Sequence, residues 1–136
     1  MELEWALPRE PEAPFRARQA VGELTEGLRW RAADVLIVVS ELVTNSVRHA
    51  GGAPIELRAR RTPGVLEVEV CDPMPGFDVP AADMDKASLG EGGVGLAIVE
   101  VLTDDWGIRT NAHACVWARF EVGDSASPSD ELGSHP

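Results

Sequence analysis

Apolar and polar residues alternate in two adjoining segments near the middle of the chain. Residues 55–60 and 66–71 place an apolar side chain at every second position, and Pro63 and Gly64 lie between them. A period of two predicts a strand with one buried face, and proline followed by glycine favours a turn. The pattern predicts an antiparallel hairpin with one covered face.

Weaker alternation predicts three further strands. Glu2–Leu7 alternates and stops at Pro8, which suits a short edge strand. Residues 106–110 and 116–122 form two more short segments of the same kind. We expect all of them to join the hairpin in one sheet.

Apolar residues recur at spacings of three and four in three other segments, as they do on one face of a helix. The first predicted helix covers about residues 14–27, the second begins near Asp34 and ends at residues 51–52, and the third covers about residues 95–104. The order of elements predicts an α+β fold, a two-layer sandwich with helices on one face of a mainly antiparallel sheet.

Two segments lack this periodicity. From Asp72 to Gly95 the chain is rich in proline, glycine, aspartate and small residues, and a loop that long in a compact domain is usually functional. The segment GDSASPSDELGSHP at the C-terminus has three acids, no lysine or arginine and almost no apolar surface, so it cannot offset the entropy of ordering. We expect one domain over residues 1–122 and a disordered acidic tail over residues 123–136.

Charge and hydropathy exclude several classes of function. The chain has 12 basic and 23 acidic residues, a net charge of −11, and would repel the phosphate backbone of a nucleic acid. The longest apolar run, residues 35–39, is far shorter than the roughly 20 residues of a membrane helix. The N-terminus has no secretory signal pattern, so we expect a cytoplasmic protein that binds neither nucleic acid nor membrane.

The two cysteines, Cys71 and Cys115, have no CxxC spacing and no histidine at metal-ligand spacing. This pattern indicates neither a zinc site nor a disulfide framework. We expect reduced thiols carried on strands.

Three groups of polar or glycine residues could carry chemistry. Glu41, Asn45 and His49 are four residues apart and share one stripe of the second helix, away from its apolar stripe. Asp72 follows the hairpin, where its carboxylate could accept a hydrogen bond from the exocyclic amine of a ligand. Taken singly, the helix residues also fit a solvated face, and Asp72 also fits the start of a turn.

The third group is the segment GEGGVGL, residues 90–96, immediately before the third helix. Glycines at a helix N-terminus expose backbone N–H groups that suit a phosphate, although a flexible hinge has the same composition. A dinucleotide-binding fingerprint does not fit, because no strand precedes the glycines. A P-loop does not fit either, because the only lysine, Lys86, lies before them.

In this order the three groups resemble the ATP-binding domain of the GHKL superfamily, which joins gyrase, heat-shock chaperone, histidine kinase and mismatch-repair ATPases. The segments SELVTNSVRHAGG and EGGVGLAIVEVLTDDWGI are similar to stand-alone anti-sigma-factor serine/threonine kinases and their relatives in actinobacteria. The resemblance covers about residues 3–122 and implies a Bergerat-type ATP-binding fold.

The resemblance also implies roles for single residues. Asn45 would ligate the Mg²⁺ on the triphosphate of ATP, and Glu41 would be the general base for an acceptor hydroxyl. Asp72 would accept from the adenine amine, and residues 78–89 would form a lid over the nucleotide. The residues that would contact the nucleotide are Asn45, Arg48, His49, Asp72, Met74, Gly76, Gly92, Gly93, Val94, Gly95, Leu96 and Cys115.

Three of these positions depart from the family pattern. Met74 stands where relatives have a glycine close to adenine, and Val94 stands where many have an arginine beside the phosphates. Cys115 lies near the position of a threonine that helps to hold a water molecule bound to adenine, and a thiol forms weaker hydrogen bonds than a hydroxyl.

The resemblance implies a Mg²⁺-dependent protein serine/threonine kinase that phosphorylates a small anti-sigma-factor antagonist of the STAS type. An alternative is a non-catalytic nucleotide-binding module that sequesters a sigma factor or a related regulator. A third reading is an α+β interaction domain without a nucleotide. The oligomeric state is left open, a homodimer included.

Overall fold

The computed structural model describes residues 1–48, 53–72, 94–110 and 114–123. The predicted lid, the first glycines of GEGGVGL and residues 124–136 of the predicted tail lie outside the described residues. The same holds for His49, Met74 and Gly76.

The described chain forms three α-helices and five strands. In chain order they are β1 (Glu2–Leu7), α1 (Ala13–Gly22), a 3₁₀ turn (Glu23–Thr25), α2 (Trp30–Arg48), β2 (Ile55–Thr62), β3 (Gly64–Asp72), α3 (Val94–Leu102), β4 (Asp105–Thr110) and β5 (Ala114–Gly123).

The five strands form one antiparallel sheet in the order β1-β2-β3-β5-β4. The predicted hairpin is β2 and β3, with Leu57 opposite Val70, and β1 is an edge strand. The helices pack on one face of this sheet. The predicted α+β sandwich is therefore confirmed.

The core lies between the helices and one face of the sheet, because alternate residues of each strand point toward the helices. Leu57, Val68 and Phe120 of the sheet are fully buried, as are Val35 and Val39 of α2. The other face carries charged side chains, and its cross-strand ion pairs include Arg58 with Glu69 and Arg109 with Glu69.

Two predicted helix boundaries were wrong. The first helix ends at Gly22, because residues 23–25 tighten into a 3₁₀ turn before Gly27 turns the chain with a φ of 85°. The second begins at Trp30, four residues before Asp34, because Arg29 has a φ of 54° and ends the preceding turn.

The predicted tail also began one residue too early. Gly123 is the last residue of β5 and pairs with Gly64 of β3. Its φ of 76° is one that glycine adopts without strain.

Candidate functional site

The predicted site residues lie on three elements that the fold packs together. Glu41, Asn45 and Arg48 are on the C-terminal half of α2, Asp72 ends β3, and α3 begins at Val94. α2 packs against both α3 and β3. The sheet therefore holds the end of β3 close to the last turns of α2.

Asp72 is buried, with 4% of its surface exposed, and its carboxylate is paired with Arg9. One terminal nitrogen of the guanidinium lies 2.6 Å from Oδ1, and the other donates to Oδ2 at 3.4 Å. The two side chains are only 5% and 6% exposed. The residue predicted to recognise adenine is thus half of a buried ion pair.

Arg9 was not among the predicted site residues. It lies between β1 and α1, and it also donates to the backbone carbonyls of Ser46, at 2.5 Å, and Ala53, at 3.2 Å. A single arginine after Pro8 has no spacing pattern that relates it to Asp72, which follows 63 residues later. Arg9 and Asp72 meet only because of the order and register in which the strands of the sheet pair.

Glu41 and Asn45 lie one helical turn apart on α2, and both are half-buried. Among the residues that the structure describes, neither side chain forms a hydrogen bond or an ion pair. Their carboxylate and amide oxygens remain available to a ligand. Arg48, the last residue of α2, is exposed.

Glu41 also borders a groove of about 390 Å³ between α1 and α2. Arg18 of α1 donates to the hydroxyl of Ser40 at 2.8 Å across this groove. Ile37 is 43% exposed, which makes part of the wall apolar. The lining residues are Arg18, Ala33, Leu36, Ile37, Ser40 and Glu41.

The N-terminus of α3 is built from the last part of the GEGGVGL segment. Val94, Gly95 and Leu96 form its first turn, whereas Gly92 and Gly93 precede the described residues. The first N–H groups of a helix have no partners within the helix, and the helix dipole favours an anion there. The first turn carries no acidic residue that would repel such an anion.

The cysteine prediction was wrong, because Cys71 and Cys115 form a disulfide. They lie directly opposite each other on β3 and β5, a register that spacing in the sequence does not reveal. Successive side chains of a strand point to opposite faces, so the disulfide lies on the sheet face opposite to Asp72. A bonded sulfur has no thiol hydrogen to donate, so Cys115 offers only a weak acceptor to the adenine-bound water that the resemblance implies.

Comparison with known families settles the type of domain. The model of the histidine kinase-like ATPase domain matches residues 7–120. The chain belongs to this family. The match runs from the last residue of β1 into β5 and includes all three elements of the site, so the GHKL resemblance is confirmed. A histidine kinase-like ATPase domain is by description a domain for ATP.

Individual relatives agree with this assignment. A serine-protein kinase RsbW from Bacillus velezensis is 28% identical over 84% of this chain and 81% of its own length. The RsbU and RsbW domains of Rv1364c from Mycobacterium tuberculosis superpose with a TM-score of 0.66 at 20% identity, over 90% of this chain and 32% of that one. This histidine kinase-like ATPase domain thus spans about a third of the mycobacterial chain.

A second solved structure, the SiaB-SiaC complex from Pseudomonas aeruginosa, matches with a TM-score of 0.58 at 17% identity. The match covers 87% of this chain and 88% of that one. Both structural matches establish the fold, which agrees with the predicted Bergerat-type sandwich. In the part of the chain that the structure describes, no helix has the length and hydropathy to cross a membrane.

Proposed function

We propose that this ATPase domain is a protein serine/threonine kinase of the anti-sigma-factor type. It transfers the γ-phosphoryl group of ATP to a serine or threonine of a small antagonist protein. The observation that carries the proposal is the placement of Glu41 and Asn45 one turn apart on α2, a helix that packs against α3 and against β3, which ends at the buried Asp72. The likeness to a chain named serine-protein kinase RsbW supports it.

In this proposal each end of the site binds one end of ATP. Asp72 accepts a hydrogen bond from the adenine amine, and the first-turn N–H groups of α3 donate to the phosphates. Arg48 and His49 border the nucleotide. Gly76 lets the loop pass close to the base. The backbone donors to the phosphates come from Gly92, Gly93, Gly95 and Leu96.

The donor set fits Mg²⁺. Asn45 offers a neutral amide oxygen that is engaged by no other side chain among the described residues. Mg²⁺ in phosphoryl-transfer sites takes few ligands from the protein and the others from water and phosphate. When bound, the ion neutralises the charge of the triphosphate.

Glu41 is the proposed general base. The acceptor hydroxyl gives its proton to the Glu41 carboxylate, and its oxygen forms a bond to the γ-phosphorus. The bond from that phosphorus to the bridging oxygen breaks, and ADP leaves. Glu41 is one of the residues that line the groove between α1 and α2, which offers room for the segment that carries the hydroxyl.

The proposed partner is a STAS-type antagonist, a sigma factor, or both in turn. The proposal of a partner protein is supported by a structural neighbour that is described as a complex of two proteins. Nucleic acid is not proposed, because the chain has a net charge of −11. A homodimer is compatible with this function.

A second candidate is a module that binds nucleotide and sequesters a regulator without catalysis. The disulfide favours it, because the sulfur of Cys115 cannot act as the hydroxyl of the family threonine does. Met74 and Val94 depart from the kinase pattern as well.

Calorimetric titration with ATP tests the step on which both candidates depend. We expect binding in the presence of Mg²⁺ and little or none in EDTA, because the acidic chain repels a bare triphosphate. Equal affinity in EDTA would contradict the metal role of Asn45. Incubation with γ-labelled ATP and candidate antagonists then separates the kinase from the sequestering module.

A further inference from the structure

Arg9 connects the base end of the proposed nucleotide site with its metal end. Its guanidinium donates to both carboxylate oxygens of Asp72 and to the backbone carbonyl of Ser46 on α2. Nε donates to the carbonyl of Ala53, which precedes β2. One side chain thus ties together the connection after β1, the end of β3 and the end of α2.

The contact with α2 is made two residues before Arg48, the last described residue of that helix. Arg9 donates there to the backbone carbonyl of Ser46. A cation near the C-terminal end of a helix is favourable for the helix dipole. Because Asn45 directly precedes Ser46, the same contact holds the turn that carries the proposed metal ligand.

The contact with Asp72 determines how that carboxylate points. A carboxylate has about four lone-pair sites, and a forked guanidinium occupies one on each oxygen. Pairing with Arg9 does not by itself use the whole acceptor capacity of the carboxylate. With 6% and 5% of their side-chain surfaces exposed, neither partner can turn toward water without losing the pair.

We propose that Arg9 is a positioning residue for the nucleotide base, which holds Asp72 in the orientation that accepts the amine of adenine. The inference rests on the proposed function, because it requires that Asp72 contacts the base. It assigns Arg9 an indirect role, through Asp72, in the selection of adenine.

The test compares ATP with inosine triphosphate, which has a carbonyl oxygen in place of the amine. Binding of each nucleotide is measured with Mg²⁺ for the wild type, Arg9→Met and Arg61→Met. Arg61 is a matched control, because it also donates to two backbone carbonyls, those of Leu24 and Glu26, but lies at the opposite end of β2.

We expect Arg9→Met to lower the ratio of ATP to inosine triphosphate affinity about tenfold, the effect of losing one well-oriented hydrogen bond to a charged group. Arg61→Met should leave the ratio unchanged. Arg9→Lys keeps one charged donor and should give an intermediate ratio. In an Asp72→Asn background, Arg9→Met should change the ratio by less than about twofold, because Arg9 acts through the carboxylate.

The following results overturn the inference. An equal loss for both nucleotides in Arg9→Met means that Arg9 supports the fold only, and a gain in ATP affinity means that Arg9 blocks Asp72. If Arg9→Met does not fold, the test uses Arg9→Lys instead. A ratio of ATP to inosine triphosphate affinity equal to that of the wild type would then contradict the inference. If the wild type and Arg9→Met both prefer ATP to the same extent, the role of Arg9 is refuted, while the proposed function is not. A wild type that binds neither nucleotide refutes the proposed function as well.

Discussion

Cys71 on β3 and Cys115 on β5 are directly paired across the sheet, and their sulfur atoms form a disulfide. The bond closes a segment of the chain that contains α3 and β4, with a sequence separation of 44. In the chain-entropy model, closing a loop of this size stabilises the folded state by about 4 kcal/mol. We therefore expect reduction to lower the melting temperature by several degrees.

Differential scanning calorimetry with and without dithiothreitol measures this effect. The double variant Cys71→Ser, Cys115→Ser is the control. Its melting temperature should be close to that of the reduced wild type and should not change when dithiothreitol is added. Two reactive thiols per chain in protein unfolded without reductant would contradict the disulfide.

A second arginine, Arg31, has a side chain that is 15% exposed and joins the two helices that flank the site. Arg31 of α2 donates to Asp34 at 2.9 Å, to the carbonyl of Leu102 at the end of α3 at 3.2 Å, and to Asp104. Its guanidinium also lies 5.2 Å from the ring centre of Phe120. We expect Arg31→Met to lower the free energy of unfolding by about 2 kcal/mol, because it removes hydrogen bonds to two carboxylates and a backbone carbonyl, although Asp104 keeps the N–H of Glu121 as a donor.

Urea unfolding measures this loss of stability, with Arg60→Met as the control variant. Arg60 is 58% exposed and has one ion-pair contact at 3.9 Å with Glu67, so its loss should cost no more than about 0.5 kcal/mol. Equal midpoints for the two variants would show that Arg31 does not join the helices.

Asp72→Asn tests the base end of the site separately from the phosphate end. The amide keeps an oxygen for Arg9 but loses the charged acceptor, so ATP should bind about tenfold more weakly. Inorganic triphosphate, which has no base, should bind as it does to the wild type. Equal losses in the two titrations would contradict the assignment of Asp72 to adenine.

Residues 124–136 test the proposed domain boundary. They include three acids, no lysine or arginine and a single leucine as their largest apolar side chain. Removing them should leave the melting temperature within about 2 °C and the ATP affinity nearly unchanged, since little apolar surface is lost. A large drop in melting temperature would mean that this segment packs on the domain.

Local pattern was enough to predict the hairpin of β2 and β3 and the helical character of α2. Alternation and three-to-four spacing depend only on which face of an element is buried. Motifs also indicated the candidate residues on α2 and Asp72, whose roles stay predictions. The ion pair of Arg9 with Asp72 and the disulfide could not be predicted this way. Their partners lie 63 and 44 residues apart, and the register of the whole sheet decides which side chains meet.

The central claim is that α2 carries a general base at Glu41 and a metal ligand at Asn45. Glu41→Ala should keep the ATP dissociation constant within a few-fold, because a base acts in the transfer step rather than in binding. Asn45→Ala should weaken ATP binding and transfer together, because the metal is needed for both. Glu12→Ala, which removes an exposed carboxylate that makes no capping bond at the start of α1, is the matched control and should change neither quantity.

The decisive measurement is the rate of transfer from γ-labelled ATP to a STAS-type antagonist, determined for Glu41→Ala at saturating ATP. The account predicts a loss of roughly 10²–10⁴-fold, the usual contribution of a positioned base, with ATP affinity preserved. A wild type that transfers to no antagonist, or a Glu41→Ala variant that transfers at the wild-type rate, would contradict it.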